Sequence, residues 1–134
     1  NADCQLAQAG DDGVRFEVAA NLLERLFLQP NLHPDVAVEA GYKLSFVHRQ
    51  RQNVSQAQEV LGAVLDRFLL NQVAEGKPLG ASGRYWMSRT ILALGTLLED
   101  GSVLDEARIV YGLIGENNLP GRSLANSRIN KLGI

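Results

Sequence analysis

The sequence predicts an all-α fold. Apolar residues recur at the three- and four-residue spacing of a helix, and the breaks between them are short and rich in Gly, Pro, Asn and Asp. Helix signals outweigh strand signals along the whole chain. With 134 residues, 46% of them hydrophobic, there is enough material for one core without disulfide or metal support, so residues 1–134 are expected to form a single domain.

The first element expected is a short helix at "CQLAQA". In residues 14–28, "VRFEVAANLLERLFL", Val18, Leu22, Leu26 and neighbouring apolar groups fall on one broad helical face, leaving Arg15, Glu17, Glu24 and Arg25 for solvent. "QPNLHP" interrupts that helix with two prolines. Pro34 suits the first helical position, where its missing amide hydrogen has no partner to lose, and Asp35 suits the positive helix end. The helix begun there is expected to run to about Arg51. Asn53 is placed to cap the next one, with Gln56 completing a capping box, and Val60, Leu61, Val64, Leu65 and Phe68 form its buried face.

"NQVAEGKPLGASG", residues 71–83, is the strongest loop signal and is expected to act as a connector. Helix resumes near Arg84 and ends at Asp100-Gly101. Ser102 is expected to cap the following helix with Asp105 at the third position, and that helix runs to about Glu116. "NNLPG" breaks it, and a final helix is expected over 122–132, giving seven in all.

These helices repeat. Laid without gaps over the segment that begins at Leu94, the segment at Leu44 brings Ala57 onto Ala107, Val60 onto Val110, Leu61 onto Tyr111 and Gly62 onto Gly112. Leu6 and Ala19 fit the same template, so in three places an alanine follows a leucine by thirteen residues across a helix break. The pattern has a packing reason: two antiparallel helices approach closely only where a small side chain faces the crossing, while larger neighbours fill the space around it. Gly95 and Ala107 supply the close approach, and Leu94, Val110 and Tyr111 supply apolar area, at about 1.5–3 kcal/mol for each fully buried aliphatic side chain. One such hairpin leaves a face exposed, which the next must cover.

Leu94-Gly95, Gly101, Ala107 and Tyr111, with Pro120 near the closing position, resemble a tetratricopeptide repeat. Leu44, Ala57 and Leu61 resemble it with Ser45 in place of the glycine, and the unit containing Leu6 and Ala19 is more degenerate still. Offsets of 38 and 50 residues exceed the roughly 34 of that family, so longer connections or extended helices must separate the hairpins. The resemblance implies a right-handed α-solenoid of about three hairpins closed by the 122–132 helix, forming a noncatalytic scaffold that binds a protein or peptide along its first helices.

On this sequence those first-helix faces fall at Glu39, Tyr42, Lys43, Phe46, Arg49 and Gln50, and at Arg89, Leu92, Ala93, Thr96 and Glu99. Tyr42 and Phe46 are one turn apart, with Arg49 following on the same stripe, which suits a peptide; packing of both rings against the next hairpin is the competing reading. Some relatives in the family clamp a C-terminal carboxylate. Arg89 occupies one such place, but Cys4, Gln8 and Ala93 stand where other clamp residues are expected, so that mode is not expected here. Trp86 and Met87 are read as core or packing-edge residues.

Other classes of function find less support. Thirteen basic against fifteen acidic residues, a net charge of -2, give no field for nucleic acid, and the "HRQRQ" and Arg122, Arg128, Lys131 clusters are read as solvated helix ends. One cysteine and two histidines make no zinc spacing, and no cofactor is expected. His33, His48 and Cys4 form no catalytic motif, so no catalytic residue is assigned. No apolar run reaches the roughly 18 residues of a membrane span. The chain opens on "NADC", without an initiating methionine, and is read as a fragment of a longer or processed protein. A self-associating structural module of an envelope or cytosolic assembly is the alternative function, and both the cytoplasm and the bacterial periplasm remain open as compartments.

Overall fold

The computed structural model describes residues 13–29, 32–70 and 78–132, with side chains from residue 16 onward. The described part is all helical: α1 (Gly13–Leu28), α2 (Pro34–Gln50), α3 (Val54–Leu65), α4 (Ala81–Asp100), α5 (Leu104–Glu116) and α6 (Arg122–Lys131). The α3 helix passes directly into a π-helical turn, Asp66–Leu70. The segment "CQLAQA", with Cys4, Leu6 and Gln8, lies outside the described residues, as does most of the 71–83 loop.

Neighbours in sequence are neighbours in space. α1 packs on α2, α2 on α3, α4 on both α2 and α3, α5 on α4, and α6 on α5. The main core joins Val38, Leu61, Val64, Met87, Ile91, Ala107, Tyr111 and Ile114, while Ala19 and Leu23 of α1 form a second cluster with Leu44 and Val47 of α2. Ala19, Ala57 and Ala107, the three alanines of the repeated pattern, are all completely buried.

The α2–α3 and α4–α5 hairpins turn in the same way. Gln52 and Ser102 both take φ 62°, and the residues after them, Asn53 and Val103, have φ/ψ of -90°/69° and -94°/70°. In each turn two amides reach back into the preceding helix: Gln52 to the Arg49 carbonyl and Asn53 to that of His48, then Ser102 to Glu99 and Val103 to Leu98. This is a Schellman ending, which satisfies carbonyls that the helix terminus would otherwise leave unpaired. Asn118 (φ 53°) repeats it at the end of α5, its amide bonding Gly115 and that of Leu119 bonding Ile114.

That geometry corrects both expected caps. Ser102 is the left-handed residue that ends α4, and Val103 is the N-cap of α5. Asn53 is the N-cap of α3 but makes no side-chain cap bond. A capping box needs the N-cap amide as the donor for Gln56, and the Asn53 amide is already bonded to His48.

Two further expectations shift. The buried stripe of α1 is Ala19, Leu23 and Phe27 with Leu26 partly covered, leaving Val18 42% and Leu22 37% exposed. The apolar arc of this helix is wider than its contact with α2, so periodicity alone could not choose its centre. Helix α4 begins at Ala81, three residues before Arg84, because the Asp35 carboxylate of α2 accepts from the Gly80 amide at 2.8 Å and caps α4 from a neighbouring helix. Gly83 lets that carboxylate approach; a Cβ there would overlap it.

The tightest crossing in the α4–α5 hairpin is at Gly95, where any Cβ would overlap the fully buried Tyr111 ring. The corresponding residues of the α2–α3 hairpin are Ser45 and Leu61, both fully buried, with the Ser45 hydroxyl donating to the Tyr42 carbonyl at 2.6 Å. A small residue faces a large one in one hairpin, and two of intermediate size stand at the same places in the other. The total filling is similar, as close packing requires.

Candidate partner-binding face

The α2 and α4 helices share a packed face, and the residues singled out in the sequence lie along it. Glu39 and Lys43, one turn apart on α2, form an ion pair at 2.6 Å, and the Lys43 ammonium sits 5.3 Å from the Trp86 ring centre. Tyr42 is half-buried against α4, its ring 5.6 Å from Trp86, while Tyr85 meets Trp86 edge-on at 5.1 Å. Further along α2, the Arg49 guanidinium lies 5.9 Å from the Phe46 ring. Gln50 is exposed at the end of the helix.

Arg89 occupies the centre of this cluster. Its guanidinium lies 5.2 Å from the Tyr42 ring, 5.8 Å from Tyr85 and 5.8 Å from Trp86. Nη2 donates to the Tyr42 hydroxyl at 3.3 Å and Nη1 to that of Tyr85 at 3.1 Å. These bonds hold the Arg89 pKa above its ordinary value, so the side chain carries its charge at every working pH.

Tyr42, Arg49, Arg89, Leu92, Ala93 and Thr96 line one recess of about 330 Å³. The structure thus brings together six of the eleven predicted face residues, two from α2 and four from α4. Thr96 donates its hydroxyl to the Leu92 carbonyl at 2.9 Å and lies 3.4 Å from the Tyr111 hydroxyl. Burial pushes the Tyr111 phenol above its ordinary range, and the neighbouring Glu99 carboxylate pushes in the same direction. Glu99 therefore stands beyond the recess, near Tyr111.

Tyr85 and Trp86 are the members of the cluster that sequence reading left out. Met87 is fully buried as expected, but Trp86 is only partly buried, so it serves both the packing edge and the exposed cluster. The available signal was spacing: Tyr85 and Arg89 are four apart, within reach of each other on one helix face.

The histidines stand apart from this face. His33 precedes α2, and its Nδ1 accepts from the Asp35 amide at 3.1 Å. The imidazole of His48 is shifted below its ordinary pKa, first by burial; Glu24 opposes that shift and Arg51 adds to it. Among the described residues, no group of three His, Cys, Asp or Glu side chains could hold a metal ion, and no helix is long and apolar enough to cross a membrane. No protein-family model, curated protein or solved structure matches the chain.

Proposed function

We propose that this protein is a noncatalytic scaffold, a right-handed tetratricopeptide-like stack of helical hairpins, that binds a protein or peptide along the shared face of α2 and α4. The observation that carries the reading is the recess between them, lined from both helices by an aromatic ring, two arginines and partly apolar walls. Mixed apolar and cationic walls are suited to an extended chain, which offers both side chains and backbone groups. Two features support the repeat: the matching turns at Gln52 and Ser102, fifty residues apart, and a packing order in which α4 covers both helices of the preceding hairpin.

The test is a pull-down from cells that produce the protein, with wild type and the Tyr42→Ala/Phe46→Ala/Arg49→Ala variant compared after circular dichroism shows both to be folded. A protein retained by wild type and lost with the variant is the expected result. Equal recovery by both rules out this face, and recovery of nucleic acid in place of protein favours a different class of function.

A second reading, self-association, draws on α1. Val18, Leu22 and Leu28 are exposed together on its outer side. If that surface joins two copies, Leu22→Glu/Leu28→Glu converts an oligomer to a monomer in light scattering.

A further inference from the structure

The recess has a charge pattern that narrows the partner, an inference that rests on the binding function proposed for this face. Arg89 is exposed, yet two tyrosine hydroxyls and three ring faces fix its guanidinium. Of its five N–H donors two are used, and among the described residues no carboxylate pairs with it. A guanidinium already held in place loses little freedom when an acceptor arrives, and its planar fork matches a carboxylate. Arg49 lines the same recess and likewise pairs with no carboxylate among the described residues, so two positive charges face one opening.

The surroundings limit how far the positive region extends. Glu39 is paired with Lys43 on α2, and Glu99 stands three residues beyond Thr96 on α4, followed by Asp100, Asp105 and Glu106 around the turn. A polyanion laid along this face would meet that acidic turn; a single carboxylate seated in the recess would not. The recess is open to solvent between the two helices, and helix surface extends from it toward the start of both, from Pro34 on α2 and Ala81 on α4, which leaves room for residues flanking the carboxylate. We propose that Arg89, with Arg49 beside it, receives the side-chain carboxylate of one Asp or Glu within an extended partner segment whose flanking residues are neutral or basic. Tyr42 and Tyr85 are positioning residues for Arg89.

Trp86 is the only tryptophan in the chain and touches the cluster, so its emission reports occupancy without a label. A phage-displayed random dodecapeptide library is panned on the immobilised protein, and the dominant peptide is synthesised with an amidated C-terminus and titrated against Trp86 emission. The expected result is an acidic residue at one position of the recovered peptides. Its replacement by Gln or Asn should weaken binding about tenfold, as should Arg89→Gln, with Arg49→Gln weakening it less and the exposed Arg108→Gln leaving it unchanged. Tyr42→Phe keeps the ring, removes the hydroxyl and should weaken binding about threefold.

Peptides that perturb Trp86 but tolerate loss of their acidic residue would overturn the carboxylate proposal while leaving the binding face intact. So would binding of the free C-terminal acid alone, or tighter binding of polyglutamate or oligothymidylate than of the selected peptide. Failure to recover any peptide, or recovery of peptides indifferent to both arginine variants and silent at Trp86, would overturn the proposal and the binding face together.

Discussion

The α2–α3 and α4–α5 hairpins share a backbone and differ in nearly everything presented to solvent at their turns. Both turn through a left-handed residue followed by an N-cap of the same conformation, and both bury an alanine completely at the equivalent place. One turn carries Arg49 and Arg51, while the other carries Glu99 and Asp100 and is followed by Asp105 and Glu106. Turn and crossing are set by backbone hydrogen bonds and side-chain volume, neither of which depends on the sign of a surface charge. Charge is therefore free to differ between the two hairpins, and it is the charge that gives the α2–α4 recess its proposed selectivity.

The two crossings offer the strongest way to break the comparison. If Gly95/Tyr111 and Ser45/Leu61 are alternative fillings of one geometry, Tyr111→Leu should cost about 2–3 kcal/mol through the space it opens, and Gly95→Ser about 1–3 kcal/mol through overlap with the ring. Together they should cost at least about 1 kcal/mol less than the sum of the two, measured by urea unfolding. Strict additivity would mean that the hairpins only look alike.

Gly62 and Gly112 sharpen the comparison from the other side. They occupy equivalent positions in α3 and α5, and a Cβ at either meets nothing within 4 Å. Replacing each by Ala should stabilise the protein by about 0.5–1 kcal/mol through helix propensity alone, visible as a higher urea midpoint. Smaller still, Gln52→Gly and Ser102→Gly should each relieve left-handed strain by about 0.5 kcal/mol, and by the same amount. Unequal shifts would show that the turns are held by different surroundings.

The smallest effect belongs to one hairpin only. His48 has no histidine counterpart, since Leu98 occupies the equivalent place. Its folded pKa lies below the unfolded value of about 6.5, so between the two the unfolded chain binds more protons and stability rises with pH. The contribution is complete above about pH 6.5 and is lost as pH falls through the folded value. Urea midpoints from about pH 5 to 7 should flatten in His48→Gln.

The helices and most packing positions were legible because helical periodicity and small-residue spacing are local properties. Leu44, Leu61, Leu94 and Tyr111, all picked out by that spacing, are buried. What escaped the sequence depended on contacts between elements. The start of α4 is fixed by Asp35, forty-five residues earlier, and the caps of α3 and α5 yield to Schellman bonds from the preceding helices. The centre of the α1 contact shifted because its apolar arc exceeds the surface that α2 offers. On the candidate face, Tyr42 and Arg49 were picked out by their shared helical stripe and Arg89 and Thr96 by the tetratricopeptide resemblance, but the fixing of Arg89 was not legible, since it joins Tyr42 to a residue forty-seven positions away.

The most direct measurement of the central claim is site-specific photocrosslinking in cells that produce the protein, with a benzophenone side chain placed either at Leu92, in the recess, or at Ile109, exposed on α5. A binding face between α2 and α4 predicts a discrete crosslinked protein from position 92 that is absent from position 109. A partner crosslinked from 109 and not from 92 would contradict it.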